Sequence, residues 1–346
     1  MRKAFPCVLS CLLFVLVMMS SAVVHAQGND TIGARAQGMG GAFTAVADDA
    51  SATWWNPAGV AGGAYFNAII EGGTHHEPRT DRDAAGAAAP AWRTGDFNIS
   101  LAFPALGLSY YRLRVSEIRP ETATATGSGG RQDDGPAVAR LRTLTLDQFG
   151  ATVGQSLGEH LVVGSTLKLV RGHSGTSVQP SGTASLDEAD RLETGGETHA
   201  GLDVGVMANF GPARLGLLVR NLRQPDFGSG PDAITLQRQA RAGFAVSSGT
   251  RGIVGRATVA VDADLVKTTT VLGDEQRVAV GGEVWTSNRI LGVRGGLNAN
   301  TIGSRRLSAS GGVSAAFRRG TYVDAEVTGG SDEGRHGWGV ALRVTF

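Results

Sequence analysis

Few residues in this sequence stand at spacings that suit catalysis or metal binding. His75, His76 and Glu77 form the densest group of potential metal ligands. Adjacent side chains of a strand point to opposite faces, whereas a zinc site needs three or four converging ligands, so a strand-end pair is the better interpretation. A hydrolase would need Ser, His and an orienting polar residue at one place, and the histidines from His160 onward lie near predicted turns or loops. The sequence therefore predicts no enzyme and no metal site.

Nucleotides and nucleic acids are also poor candidates for ligands. The glycine cluster Gly38-Met39-Gly40-Gly41 lacks the preceding strand and the Lys-Ser/Thr pair of a phosphate-binding loop. The charges nearly cancel, with 32 basic against 31 acidic residues and a formal net charge of +1. Without a basic patch the chain offers little to the phosphates of a nucleic acid. We therefore expect no cofactor and no nucleic-acid partner.

The first 26 residues have the features of a secretory signal peptide. Met1-Arg2-Lys3 precedes an apolar run over 8–17, and small residues follow up to Ala26. This pattern predicts export and cleavage before Gln27; the alternative, a retained anchor, would be too short to span a bilayer comfortably. Both cysteines, Cys7 and Cys11, lie in this leader, so the mature chain would have no disulfide and no thiol chemistry.

Alternation of apolar and polar residues dominates the chain from Ala64 onward. In the last segment, from Trp338 to Phe346, the even positions are Trp, Val, Leu, Val and Phe, and the odd ones are Gly, Ala, Arg and Thr. Such alternation places the two sets on opposite faces of a strand. About fourteen segments of this kind occur, near 64–72, 97–104, 106–115, 142–157, 160–171, 198–210, 212–221, 238–247, 252–265, 276–287, 289–298, 305–318, 320–329 and 336–346.

Many of these segments approach the ~9–11 residues that a tilted strand needs to cross a bilayer. A meander this long must close or bury its edges. The sequence therefore predicts an all-β fold, a transmembrane antiparallel β-barrel of about fourteen strands. Two polar stretches, 116–141 and 172–197, lack periodicity and are predicted to be long loops. A soluble periplasmic β-protein remains the alternative.

Nine charged residues fall on the predicted inward face of the strands. They are Lys168, Asp203, Arg220, Arg241, Asp262, Asp264, Glu283, Arg294 and Arg343. Ionisable groups of a membrane barrel point to the interior and find partners there. These side chains then either line an aqueous path through the lumen or pair into a network that braces the barrel around an internal segment. The second use is favoured, and the first stays open.

Glycine is unusually abundant, with 51 of the 346 residues, or about 15%, against ordinary usage of ~7%. Glycine weakens an ordinary strand. Here it recurs on the predicted inward face, where it would make room for an internal segment, and in the stretch ahead of the first strand. The composition therefore indicates a barrel with a filled lumen.

That preceding stretch carries the most specific motif of the chain. Residues 33–59 read GARAQGMGGAFTAVADDASATWWNPAG. Asp48 or Asp49 is predicted to cap a short helix that runs through Trp55 and is stopped by Pro57. The segment resembles the N-terminus of the FadL-type outer-membrane transporters and of the related PorV/PorQ-like proteins. Weaker similarity to the PorV/PorQ branch appears at 215–222, 260–264 and 281–285.

The resemblance implies a fourteen-stranded barrel in the outer membrane of a Gram-negative cell. Residues 27–62 would form an N-terminal hatch in or against the lumen, and residues 63–346 the barrel. The hatch residues expected to gate passage of a ligand are Phe43, Trp54, Trp55, Asn56, Pro57 and Ala58. Outer-membrane lipid would surround the barrel. Trp338, Val344 and Phe346 resemble the terminal-strand signal that the barrel-assembly machinery reads.

The resemblance leaves two functions open. In the transporter branch, a small hydrophobic molecule passes the hatch passively and leaves sideways through a gap in the wall. In the PorV-like branch, the barrel is not a channel and instead acts on a secreted protein or attaches it to the surface. The polar character of 116–141 and 172–197 departs from the apolar outer loops expected of a fatty-acid transporter.

Overall fold

The computed structural model describes residues 32–78, 81, 83, 85–122, 137–192, 195–228, 233–250, 252–331 and 334–346. The predicted signal peptide lies outside the described residues. Fourteen strands of the described part pair side by side into one closed antiparallel barrel. The predicted all-β transmembrane barrel is confirmed.

The barrel is an up-and-down meander whose first and last strands pair to close it, with Asn67 opposite Thr345. Its strands are β1 (Asn67–Glu77), β2 (Ala91–Phe103), β3 (Leu106–Thr122), β4 (Ala137–Leu157), β5 (Leu161–Pro180), β6 (Gly195–Phe210), β7 (Ala213–Arg220), β10 (Gln239–Ser247), β11 (Val254–Asp264), β14 (Arg277–Thr286), β15 (Leu291–Asn300), β16 (Leu307–Arg318), β17 (Thr321–Gly330) and β18 (His336–Thr345). Two small hairpins lie in the connections: β8 (Asp226–Phe227) with β9 (Ile234–Thr235), and β12 (Thr268–Thr270) with β13 (Gly273–Glu275).

Among the described residues, helical structure is confined to short pieces. Three of them precede the barrel: α1 (Ala34–Gly38), α2 (Ala52–Trp55) and a 3₁₀ turn (Pro57–Gly62). The fourth, α3 (Leu186–Asp190), lies between β5 and β6. In the described part of the chain, no helix has the length and hydropathy of a membrane span.

The alternation along each strand separates an apolar outside from a polar inside. On β15, Leu291, Val293 and Leu297 are 44%, 51% and 53% exposed, whereas the intervening Arg294 is 4% exposed. Exposed leucine, valine and phenylalanine recur in this way on the other barrel strands. Such a surface suits hydrocarbon, where backbone groups need partners within the protein, and a closed barrel provides them because it has no open edge.

The two rims of the barrel differ. At one rim β2–β3 and β16–β17 are joined by two-residue turns, 104–105 and 319–320, and both ends of the barrel chain meet there, with Phe66 and Phe346 in mutual backbone hydrogen bonds of 3.2 and 2.9 Å. At the other rim the connections are long, as at 265–276. We call these the turn end and the loop end. In bacterial barrels of this kind, short turns face the periplasm and long loops face outward.

The prediction of two long loops is wrong in large part. β3 continues to Thr122, β4 begins at Ala137 and β5 continues to Pro180. A polar composition does not prevent strand pairing outside the membrane, because ladder hydrogen bonds satisfy the backbone on any face. Charge pairs across neighbouring strands help, as Arg140 does with Glu121 at 2.7 Å. Only residues 123–136 of the first stretch lie outside the described residues.

Near the loop end, α3 covers β3 and β4. Leu186 and Ala189 of the helix pack on the buried Ile118 and Leu141 of β3 and β4. Arg93 holds the outside of the helix, donating to Asp187 at 2.8 Å and to Asp190 at 3.0 Å. The hydrogen bond from Arg93 and its positive charge lower the pKa of Asp187.

Pairing around the wall is continuous. The register from β2 to β6 contains no shift. Shifts occur between Val254 and Arg256 on β11 and between Ala316 and Arg318 on β16, both close to the turn end. The sideways gap implied by the resemblance is therefore not seen among the described strands.

Candidate functional site

Residues 32–62, here called the lumen segment, lie inside the barrel. α1 contacts β1 and β15 to β18, whereas the 3₁₀ turn contacts β2 to β6. One short segment can touch both sides of a closed barrel only from within it. The side chains of Phe43, Trp55 and Asn56 are 0% exposed, as is Ile32 at the first described position.

Inward-facing glycines make this fit possible. A methyl group added at Gly281 or Gly296 would overlap the backbone of Met39, and one at Gly164 would overlap Pro57. Gly216 lies in the same way against Thr44. Because backbone meets backbone at these points, no side-chain movement could relieve the overlap. The wall is thus shaped around this segment rather than around an open pore.

Two polar side chains fix the middle of the segment. Asp262 of β11 accepts hydrogen bonds from the backbone N–H groups of Phe43 at 3.0 Å and Thr44 at 2.8 Å. Asn56 donates from Nδ2 to the carbonyl oxygens of Thr44 at 2.9 Å and of Val206 on β6 at 3.2 Å. Its Oδ1 accepts from the N–H of Ala58 at 3.1 Å, so Asn56 also caps the 3₁₀ turn that Pro57 begins.

The aromatic residues of the segment rest on arginines of the wall. The Arg220 guanidinium lies 4.1 Å from the ring centroid of Trp54, and that of Arg241 lies 5.5 Å from Trp55. Trp54 also packs on Tyr111 of β3, with ring centroids 4.9 Å apart. Cations over indole rings attract them most strongly where water is excluded.

An ion-pair network joins the segment to the strands near the seam. Arg35 contacts Asp48 at 2.6 Å, Asp49 at 2.9 Å and Glu283 of β14 at 2.7 Å. Glu283 lies 3.9 Å from Arg294 of β15, which is 3.1 Å from Asp324 of β17. Asp324 in turn pairs with Arg343 of β18 at 2.9 Å. Three of the predicted inward residues therefore belong to one chain of alternating charges.

The remaining predicted inward residues are placed on the same interior surface. Arg220 donates to Gln239 at 2.9 Å, and Arg241 pairs with Asp264 at 2.8 Å. Sequence reasoning missed Arg35 and Asp324, which link the members of the ion-pair network that contains Glu283, Arg294 and Arg343. Asp48 or Asp49 is predicted to cap a helix. In the structure Asp48 binds arginines, whereas Asp49 accepts from the N–H of Ser51 at 3.0 Å, directly ahead of α2.

A second group of buried charges lies in the lumen near the loop end. Glu77 contacts Arg277 at 2.8 Å and Arg306 at 3.0 Å, and Glu275 contacts Arg277 at 3.3 Å. Arg335 reaches Glu77 at 3.9 Å. All five side chains are at most 6% exposed. Removing one partner from such a buried set leaves an uncompensated charge and is strongly destabilising.

The histidine pair separates as its strand alternation requires. His75 faces inward and contacts Glu326 at 2.9 Å, whereas His76 stacks on His336 with ring centroids 5.7 Å apart. Within the described residues, no group of three potential ligands is placed to hold a metal ion. Gly154–Gly158 fits the Gly-x-Ser-x-Gly pattern, but Ser156 pairs with Val162 in the β4–β5 hairpin and not at a strand-to-helix turn.

An apolar column fills the lumen between the loop end and Trp54. It starts at the β8–β9 hairpin, whose Phe227 packs against Gly172 of β5. Below lie inward-facing residues of β3, β4 and β5. The buried members of the column are Phe227, Ile234, Leu236, Leu113, Leu144, Leu146, Val170, Tyr111 and Trp54.

At the turn end a cavity of about 300 Å³ opens beneath the lumen segment. Its lining is mostly polar and includes Arg35, Asp48, Glu283 and Arg343. Trp285 and Tyr322 add an edge-to-face aromatic pair with ring centroids 5.5 Å apart. Above the segment the lumen therefore holds the apolar column beside the buried loop-end charges, and below the segment its lining is mostly charged.

The last strand presents its predicted signal residues outward or at the rim. Trp338 is 51% and Phe346 is 70% exposed, and Val344 is half-buried. Phe346 stacks on Phe66 with ring centroids 6.2 Å apart. The rings of Phe66 and Phe346 lie at the turn-end rim of the wall.

Solved structures with this fold include several bacterial transport proteins. One is described as "CymD monoaromatic hydrocarbon channel"; it is 12% identical, covers 91% of this chain and 97% of its own, and has a TM-score of 0.58. A FadL homologue of Pseudomonas aeruginosa is 10% identical, with coverage of 92% and 98% and a TM-score of 0.54. The toluene transporter TbuX of Ralstonia pickettii is 12% identical, with coverage of 91% and 98% and a TM-score of 0.52. The predicted resemblance to FadL-type barrels is confirmed at the level of the fold.

A family model matches residues 53–264, more than half of the chain, and is described as "F plasmid transfer operon, TraF, protein". The match runs from Thr53 in the lumen segment to Asp264 at the end of β11. A search of curated proteins found no match. The chain therefore belongs to the family described as F plasmid transfer operon, TraF, protein, and it has the fold of the FadL-type channels.

Proposed function

We propose that this protein is a passive outer-membrane channel for small hydrophobic molecules, and that its lumen segment is the gate. The observation that carries the proposal is the apolar column, which leads from the β8–β9 hairpin at the loop end to Trp54. An apolar molecule that enters at the hairpin would remain in contact with apolar side chains along the whole path to the lumen segment. The fold neighbours described as channels for monoaromatic hydrocarbons and as a toluene transporter support this choice of ligand.

In this proposal the closed lumen is the resting state. The residues that a ligand meets at the end of the column are those predicted as the hatch, namely Phe43, Trp54, Trp55, Asn56, Pro57 and Ala58. A shift of this group would connect the column with the cavity at the turn end and so with the periplasm. The inward charges from Arg220 to Arg343 then act as supports that hold the segment in its closed position.

A disulfide across the gate gives a direct test. A Cβ built on Gly339 of β18 lies 3.8 Å from the Cβ of Ala34, which is the usual Cβ separation in a disulfide. The described residues contain no cysteine, because Cys7 and Cys11 precede them. The Ala34→Cys/Gly339→Cys variant can therefore be locked by oxidation and released by a reductant in the same preparation.

Uptake of radiolabelled toluene into proteoliposomes or whole cells is the measurement. We expect the oxidised variant to lose most of the uptake that depends on the protein, and the reduced variant to regain it. Each single-cysteine variant serves as the control for the substitutions themselves. Equal protein-dependent uptake by the locked and released forms would contradict the gate. Equal uptake with and without the protein would contradict the channel.

The same proposal places the protein in the outer membrane after cleavage of its signal peptide. It also has the barrel-assembly machinery recognise Trp338, Val344 and Phe346. The apolar outer band supports the placement in a membrane, and the turn-end position of Phe346 supports its role in assembly. Fractionation with outer membranes and an N-terminus at Gln27 in the mature protein are the expected results.

A second function, a non-channel barrel that acts in protein secretion or surface attachment, is favoured by two observations. The described wall has no gap, and the lumen segment and the apolar column fill the lumen above the turn-end cavity. The family description, which refers to a plasmid transfer operon, also suits an accessory of an export apparatus. Here a partner protein would be retained by the oxidised, locked variant and lost when residues 123–136 are replaced by a short turn.

A further inference from the structure

A groove of about 650 Å³ crosses the outer surface of the barrel over β2 to β6. Its floor is Ala151 of β4, which stands in register between Leu108 of β3 and Leu167 of β5. A small residue between two long ones leaves a dent in the apolar band. The groove walls are apolar and outward-facing: Ile99, Leu108, Phe149, Leu167 and Leu169.

Strand register places charges directly beyond this groove on its loop-end side. One row of paired residues at the groove consists of Ile99, Tyr110, Phe149 and Leu169. The next outward-facing row consists of Phe97, Arg112, Asp147 and Arg171. Two residues along a strand separate the rows by ~7 Å. Arg114 follows one further step along β3.

The charged row has an excess of positive charge. Asp147 accepts from the Tyr110 hydroxyl at 2.6 Å and lies 3.9 Å from Arg112. Arg114 and Arg171 are exposed, and neither guanidinium group makes an ion pair or hydrogen bond with a residue that the structure describes. Arg93, higher on the same face, is already neutralised by Asp187 and Asp190. One carboxylate therefore faces three guanidinium groups beside the groove.

We propose that the groove and these arginines together bind a phosphorylated glycolipid of the outward-facing leaflet. One of its acyl chains lies in the groove over Ala151, and a phosphate pairs with Arg114 and Arg171. The loop end is the outward side of such barrels, so the arginines are at the level of that leaflet's headgroups. Guanidinium binds phosphate through two parallel N–H donors, which gives both charge and geometry. This site lies outside the wall and is independent of the gate.

The test uses the full-length barrel in detergent micelles and native mass spectrometry. The probes are bisphosphorylated lipid A, dephosphorylated lipid A and phosphatidylglycerol, each at equal concentration. The variant Arg114→Gln/Arg171→Gln removes the unpaired charges. Its matched control, Arg318→Gln/Arg319→Gln, removes two exposed arginines at the turn end. A separate variant, Ala151→Trp, fills the groove without changing charge.

We expect the Arg114/Arg171 variant to bind bisphosphorylated lipid A at least fivefold more weakly than the wild type, and the control to stay within twofold. Ala151→Trp is expected to weaken binding of the same probe, and dephosphorylated lipid A to bind poorly to every form. Wild-type affinity in the Arg114/Arg171 variant would overturn the site. Equal affinity of the wild type for phosphatidylglycerol and lipid A would overturn the assignment to a glycolipid.

Discussion

Arg220 holds Trp54 in two ways at once: its guanidinium lies 4.1 Å from the indole centroid, and its Nη2 donates to the Trp54 carbonyl oxygen at 2.8 Å. Arg220 belongs to the wall and Trp54 to the lumen segment, so one side chain ties the base of the apolar column to the barrel. Both residues are at most 4% exposed. The strength of this link decides how readily the segment can move.

Replacing Arg220 is expected to loosen the segment. Arg220→Ala removes a buried cation–π contact and a charged hydrogen bond, together about 2–4 kcal/mol. Lysine keeps the charge but not the planar face, so Arg220→Lys should fall between alanine and wild type. Hydrogen exchange of the amides at 52–56 checks this: exchange should be fastest in the alanine variant. Equal protection in all three proteins would contradict the link.

Asp262 should matter more than its single charge suggests. Asp262→Ala leaves the buried N–H groups of Phe43 and Thr44 without an acceptor, at a cost of about 2–5 kcal/mol. Asp262→Asn keeps an accepting oxygen and should lose less. The expected readout is faster proteolysis of the lumen segment by an added protease, with the barrel still folded on a gel without heating. Asp226→Asn, at an exposed position of the β8–β9 hairpin, is the control and should behave as wild type.

A methyl group on the inner wall is expected to expel the 3₁₀ turn. Gly164→Ala places a Cβ against the backbone of Pro57, whereas Gly329→Ala meets no atom within 4 Å. Both substitutions add the same atom to a barrel strand and raise β-propensity alike. We therefore expect a lower unfolding midpoint in urea for Gly164→Ala only. A similar loss in both variants would point to a general effect on strands.

Asn56 is expected to set the rate of passage. Asn56→Ala removes donor bonds to Thr44 and Val206 and the acceptor bond from Ala58. If the segment is the gate, weakening its attachment should raise toluene uptake severalfold over wild type at equal amounts of folded barrel. Cells that lack the protein give the baseline. Uptake that is the same in all three strains would remove the channel proposal.

The terminal aromatic residue is expected to act in assembly rather than in passage. Phe346→Ala should lower the amount of heat-modifiable barrel in outer membranes, because the last strand would lose the residue that resembles the assembly signal. Phe317→Ala is a matched control, since Phe317 is 67% exposed and Phe346 is 70% exposed. Equal yields of the two variants would show that Phe346 contributes no more to assembly than another exposed aromatic residue near the rim.

The sequence was sufficient for the barrel but not for its interior contacts. Strict alternation such as that of Trp338 to Phe346 has one structural meaning, because a shift by one residue would turn every apolar side chain inward. The extensions of β3, β4 and β5 were missed because outside the membrane both faces of a strand can be polar, which removes the periodic signal. Arg35 and Asp324 were missed for another reason: their pairing depends on which strands become neighbours after closure. Glu77 lies in a group that the sequence presents only as a possible metal site, and its nearest arginine partner in the sequence, Arg277, is 200 positions away.

Closure of the barrel pairs β1 with β18, the first strand with the last. The lumen segment comes immediately before β1, and it already has contacts with β16, β17 and β18 across that seam. A folding intermediate that still has an open sheet can accept the segment from the side. Once the seam has formed, the segment's backbone could enter only lengthwise, past Gly281 and Gly296, where not even a methyl group fits. Insertion of the segment and closure of the wall are therefore coupled steps of one assembly reaction. Mutations in the segment should first reduce the rate or the yield of barrel assembly.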